Sequence, residues 1–237
     1  GSHLSELGQM DEAIKFAEQA LVIHERLSAT HPDRYESELA VSLVNMSSHL
    51  GDQGKSGEAA EYARRALLIF ERLVTENPER LKPDLAMSLG NMGIQLGDLG
   101  RLEEATEHAK LALSIYENLA KEHPGRYESD LAVALGNLGG FISDCGNYPD
   151  ARHVCERALS IYQRLVERLP RRYSADLITQ QKMVALLAWI DRQDTHALPV
   201  EQEMDRLLSN VLAHRSEVLW VERAYTLGCL GHKTDPA

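Results

Sequence analysis

Stepping along this 237-residue chain in strides of 46 returns the same residue types at the same places. Leu43, Leu89 and Leu135 answer one another, as do Asn45, Asn91 and Asn137. The same holds for Gly8, Gly54, Gly100 and Gly146, for Ala20, Ala66, Ala112 and Ala158, and for Pro32, Pro78, Pro124 and Pro170. A fixed period of this size marks an array whose units cannot bury their apolar faces alone and must stack on their neighbours.

Within a unit the apolar residues recur at helical spacing. Leu85, Leu89, Met92 and Leu96 form one stripe, Gly100 interrupts it, and Ala105, Ala112, Ile115 and Leu119 resume it. The pattern predicts two antiparallel helices around a tight turn in which the glycine takes a left-handed conformation. Alanines in the second helix leave room for close neighbours. The spacing from Gly100 to His123 allows that helix roughly 22 residues, about 33 Å at 1.5 Å per residue. The Pro-Arg-Tyr segments, Pro32 to Tyr35 and Pro124 to Tyr127, read as the linkers that follow it.

Leu-Ala pairs at Leu39, Leu85 and Leu131 divide the chain into units 39–84, 85–130 and 131–176. Ahead of them, 4–38 reads as a partial unit supplying a second helix, and Gly1-Ser2-His3 reads as the remnant of an affinity tag. Residues 177–222 form a degenerate unit in which Arg192 replaces the turn glycine, Pro199 enters the next helix and Met204 replaces an alanine. Residues 223–237 keep the phase, as the start of a further repeat or a C-terminal cap. All of it is expected to form one solenoid domain. With both ends inside repeats, the chain is expected to belong to a longer array or a multidomain protein.

The net charge of −11 disfavours nucleic acid, whose phosphates need a basic face. No apolar run approaches the roughly 20 residues of a membrane span. Three cysteines match no zinc or redox spacing, so a reduced, cytoplasmic setting is expected. Phosphate-cradling, dinucleotide and His-Glu-x-x-His motifs are absent, and so is any strand pattern to carry them. The chain is therefore expected not to be an enzyme and to use neither cofactor nor metal. His31 and His123 precede prolines as linker residues, Cys145 and Cys155 flank one turn, and Trp189 and Trp220 sit in the degenerate end.

The residues Leu89, Met92-Gly93, Leu96, Gly100, Ala105 and Ala112, and their counterparts Leu135, Leu138-Gly139, Ile142, Gly146, Ala151 and Ala158, resemble the tetratricopeptide repeat. The long unit is similar to those of kinesin light chains and many bacterial repeat proteins. The resemblance implies an all-α, right-handed superhelical solenoid of helix hairpins whose first helices line a concave groove. If 43, 46, 47 and 50 pack, the stripe facing the groove is Val41, Asn45, Ser48 and Asp52. It recurs as Met87, Asn91, Ile94 and Asp98, and as Val133, Asn137, Gly140 and Asp144. The asparagines could hold an extended peptide backbone or bond to the preceding helix. The aspartates could favour a basic ligand or serve the turn. Gly90, Gly136 and Gly140 cost helix stability and read first as close-packing positions, second as room for a ligand.

Three functions compete on this reading. The first is a scaffold that binds a peptide or partner segment, with a basic partner preferred. The second is the sensor or oligomerisation region of a bacterial-type regulatory protein, associating through exposed repeat ends. The third is an enzyme whose site hides in 190–237.

Overall fold

The computed structural model describes residues 2–191, with side chains from Ile14 onward except Trp189 and Asp191. Eight helices follow in order: α1 (Ser2–Thr30), α2 (Pro32–Asp52), α3 (Ser56–Glu76), α4 (Pro78–Asp98), α5 (Leu102–Glu122), α6 (Pro124–Asp144), α7 (Tyr148–Arg168) and α8 (Pro170–Asp191). Each packs against the next, and α2 also touches α4, and α4 touches α6. The even-numbered helices are thus the inner layer of a right-handed all-α solenoid, with the odd-numbered helices outside.

The turn inside each hairpin is set by glycine. Gly54, Gly100 and Gly146 have φ of 74°, 73° and 81°, the left-handed region that costs other residues about 1 kcal/mol or more. Their amides and those of the next residue close a Schellman pair. Gly100 N–H donates to the Gly97 carbonyl at 2.8 Å and Arg101 N–H to that of Leu96 at 2.9 Å. The pattern repeats at Gly54 with Lys55 and at Gly146 with Asn147.

Two expectations change here. The Pro-x-Arg-Tyr segments are no linkers: Pro32, Pro78, Pro124 and Pro170 each open an inner helix. Proline suits that place, since its fixed φ is helical and the missing N–H has no partner in the first turn. Only His31, Asn77, His123 and Leu169 separate one hairpin from the next, each with φ between −140° and −137° and ψ between 66° and 71°. Helices α2 to α7 all have 21 residues, so the two helices of each hairpin are equal in length. Second, α1 runs unbroken through Gly8.

The core lies between the layers. Leu43, Leu50, Ala59, Ala66 and Phe70 are buried with Leu21, and Leu135, Leu138, Ala158, Tyr162 and Leu165 repeat the arrangement two units on. Close approach depends on missing side chains. A Cβ on Gly139 would overlap the Cys155 sulfur of α7, and one on Gly93 would sit 3.3 Å from the Ala105 carbonyl of α5. Between inner helices, a Cβ on Gly97 would lie 2.7 Å from the Phe141 ring. Gly90 and Gly140 differ, because a Cβ there meets nothing within 4 Å. Close packing therefore does not explain those two glycines.

The contrast is measurable by urea unfolding. Gly139→Ala should destabilise by about 1–3 kcal/mol through overpacking. Gly140→Ala, one residue away in the same helix, should stabilise by about 0.5–1 kcal/mol.

Candidate binding surface on the inner helices

The predicted packing stripe is buried as expected, with Leu43, Met46, Ser47 and Leu50 all in the core. The complementary stripe is exposed to a varying degree. Val41, Met87, Ile94 and Val133 lie on it with apolar side chains in solvent, and Leu186 extends the row onto α8. Asn45 is exposed, Ser48, Asn137 and Gly140 are half-buried, and Asp52, Asp98 and Asp144 are exposed.

The three asparagines occupy three different environments. Asn91 is only 9% exposed and bridges α4 to α2. Its Oδ1 accepts from Ser47 Oγ at 2.8 Å and its Nδ2 donates to Ser48 Oγ at 2.9 Å. Asn137 would meet Gly93 and Ile94 at the matching places on α4, which carry no hydroxyl. Neither Asn45 nor Asn137 has a hydrogen-bond partner among the described residues.

The aspartates end α2, α4 and α6 and have no hydrogen-bond partner among the described residues. They neither cap the next helix nor close the turn: the turns close through backbone bonds, and at the third the Asn147 side chain caps α7. A carboxylate at a helix C-terminus also opposes the macrodipole, at a cost of about 0.3–1 kcal/mol.

One turn upstream on the same stripe the structure places a second acidic ladder: Glu38, Asp84, Asp130 and Asp176. Continuing the stripe three residues toward the N-terminus would have found it. Asp84 and Asp130 are half-buried, and lost hydration pushes both carboxyls above the usual range; Arg80 acts against the shift at Asp84, and a backbone hydrogen bond and Arg172 do so at Asp130. Their folded pKa thus exceeds the unfolded value of about 3.9. The folded chain binds more protons in that window and gains stability as pH falls through it, so at neutral pH the two charges weigh against folding.

Tyrosines from the outer layer rise between these acids. Tyr116 of α5 donates its hydroxyl to the Pro83 carbonyl at 3.4 Å, and burial, then Asp130 and Asp84, raise its pKa. Tyr162 of α7 lies below a cavity of about 300 Å³ between α6 and α8, walled by Val133 and Asn137 on one side and by Asp176, Gln180 and Met183 on the other. Two residues of the predicted stripe, Val133 and Asn137, thus line one concavity.

No group of three or more His, Cys, Asp or Glu among the described residues could hold a metal ion. His31 and His123 sit at the hairpin junctions against the rings of Tyr35 and Tyr127, with centroids 6.4 Å apart in each pair. Cys155 is buried and Cys145 exposed, both as free thiols. No helix among the described residues is long and apolar enough to cross a membrane. Arg192, Pro199, Met204, Trp220 and the whole of 223–237 lie outside the described residues, as does most of the stretch in which an enzyme site was sought.

Known proteins place this geometry. The tetratricopeptide repeat family profile matches residues 3–33, 85–125 and 131–168. The fold is similar to that of a candidate kinesin light chain of Podosopora anserina with nearly identical TPR-like repeats. That likeness has 18% identity and a TM-score of 0.61, covering 91% of this chain and 93% of that one. It is also similar to BtubC (BKLC) from P. vanneervenii, at 16% identity and a TM-score of 0.52 over 96% of this chain and 94% of that one. The apo form of RapI is 21% identical with a TM-score of 0.60, covering 89% of this chain and 49% of RapI. No curated protein matches.

The asparagines should separate in a stability assay. Asn91→Ala leaves the buried Ser47 hydroxyl without its acceptor and should cost about 1–3 kcal/mol in urea unfolding. Asn45→Ala, at an exposed position, should stay within about 0.5 kcal/mol of the parent.

Proposed function

This chain belongs to the tetratricopeptide repeat family, and from that premise we propose that its inner, concave face binds a segment of a partner protein. Proteins built from such repeats are in general interaction scaffolds without chemistry of their own. The observation that carries the proposal is the row of exposed apolar side chains on the inner helices: Val41, Met87, Ile94 and Val133. Apolar side chains aligned across three helices and rimmed by polar groups mark a contact surface rather than scattered exposure.

Around that row the polar groups divide the work. Asn45 and Asn137 have free amides able to hydrogen-bond a peptide backbone whatever its sequence. Asn91 and Ser48 set the spacing of α2 and α4, and so the pitch to which a ligand must conform. Asp52, Asp98 and Asp144 line one edge and Glu38, Asp84, Asp130 and Asp176 the other, so an amphipathic segment carrying Lys or Arg is the complement. A second reading, self-association, draws support from Phe16, Val22 and Ile23, which are exposed on α1. Sedimentation of the chain over a range of concentrations distinguishes it from a monomer that binds peptide.

Calorimetry with a synthetic peptide library tests the proposal. Amphipathic basic peptides should bind and acidic ones of equal apolarity should not. Asp52→Asn, Asp98→Asn and Asp144→Asn combined should weaken the basic peptides about tenfold, roughly 1.4 kcal/mol, and flatten their salt dependence. Affinity that ignores both the triple variant and salt would remove the acidic edge from the surface.

A further inference from the structure

We propose that the cavity between α6 and α8 is a seat for one cationic side chain, a Lys or Arg of the bound segment. The proposal rests on the concave-face reading and deepens it by naming the chemistry of one subsite. Its volume of about 300 Å³ is at the lower end of the range for ligand clefts.

The hydrogen-bonding groups in the cavity are arranged for a donor. Gln180 is only 7% exposed, and its Nε2 donates to the Cys155 carbonyl at 3.1 Å. That bond fixes the amide and turns Oε1 toward α6, where it lies 3.1 Å from the place a Cβ on Gly136 would take. Oε1 accepts no hydrogen bond among the described residues, and the bare Gly136 leaves it reachable. Tyr162 is 5% exposed and its hydroxyl has no partner among the described residues, unlike Tyr116 one repeat earlier, which reaches Pro83. Both groups therefore remain open to a ligand's donors from the cavity.

Charge selects which donor. Asp176 contributes a carboxylate at the mouth and forms no ion pair among the described residues. The Arg172 guanidinium lies over the Tyr173 ring at 5.2 Å and acts on Asp130 instead. Thr179 spends its hydroxyl proton on the Ala175 carbonyl at 3.0 Å, so it too offers only an acceptor. The inventory is therefore one carboxylate, the acceptor oxygens of Gln180, Thr179, Tyr162 and Asn137, and the neutral donors of the Asn137 amide and the Tyr162 hydroxyl, with no cation among the lining residues. A lysine ammonium brings three donors and an arginine five, with no acceptor. Val133 and Met183 supply the apolar wall along which an aliphatic stem lies. Buried, phenol-protonated Tyr162, its pKa pushed up to about 12 by lost hydration and then by Asp176, adds no competing negative charge.

Nitrogen-15 NMR on the full chain tests this with three probes: the Nα-acetyl methylamides of lysine, arginine and norleucine. The cationic probes should shift the amides of Gly136, Asn137 and Gln180 saturably, and the isosteric norleucine probe should not. Asp176→Asn, at an exposed position, should weaken the cationic probes at least fivefold, and Tyr162→Phe, which removes only the hydroxyl, at least twofold. Equal response to norleucine, or no response at these three amides, would overturn the proposal. Library peptides that bind elsewhere on the inner helices without moving these amides would overturn the cation seat and leave the concave-face reading standing. Cationic probes that bind here while no peptide binds the chain would instead overturn the concave-face reading and make this a site for free amines.

Discussion

The contact on which the rest depends is the approach of each outer helix to its inner partner over positions that carry no side chain, or almost none. Ala105 and Ala151 are fully buried against Gly93 and Gly139, where an added methyl would press on the backbone of the outer helix. Dispersion falls steeply with distance, so helices held this close gain contacts along their whole length. The glycine turn fixes where each hairpin reverses, and a one-residue link fixes where the next begins. With both set, every unit repeats the same displacement. The inner helices then fall side by side, and residues 46 apart in sequence become neighbours in space.

That displacement converts a linear period into a surface. A residue type repeated once per unit becomes a row across the concave face, which is how aspartates, apolar residues and asparagines make parallel ladders. The rows are not uniform. Between α2 and α4 a Ser47–Asn91–Ser48 bridge closes the face. Between α6 and α8 the same geometry opens into a cavity, with Asn137 free and Gln180 reaching over Gly136. Variation in a few side chains on a fixed frame thus gives each junction its own chemistry.

Much of this was legible in the sequence. The period, the hairpin, the turn glycines and the split between packing and exposed stripes followed from residue spacing, because these features are local or repeat identically. The Pro-x-Arg-Tyr segment was misread because proline ends one helix as readily as it starts another, and a one-residue junction leaves no composition signal. Gly8 carries the same letter as Gly54 but lies inside α1. The differing fates of Asn45, Asn91 and Asn137 depend on what the preceding unit offers: Ser47 and Ser48 face Asn91, while Gly93 and Ile94 face Asn137. That comparison was available by stepping back one period, yet it required knowing that inner helices touch. Glu38, Asp84, Asp130 and Asp176 lie one turn above the apolar row at the same 46-residue period, so they too are legible in the sequence.

The central claim is that partners meet the inner helices and not the outer layer. Photo-crosslinking with a binding peptide that carries benzoylphenylalanine, followed by mass spectrometry, tests it most directly. The account predicts crosslinks on the exposed stripes of α2, α4 and α6 and on α8. Crosslinks concentrated on α3, α5 and α7 would contradict it.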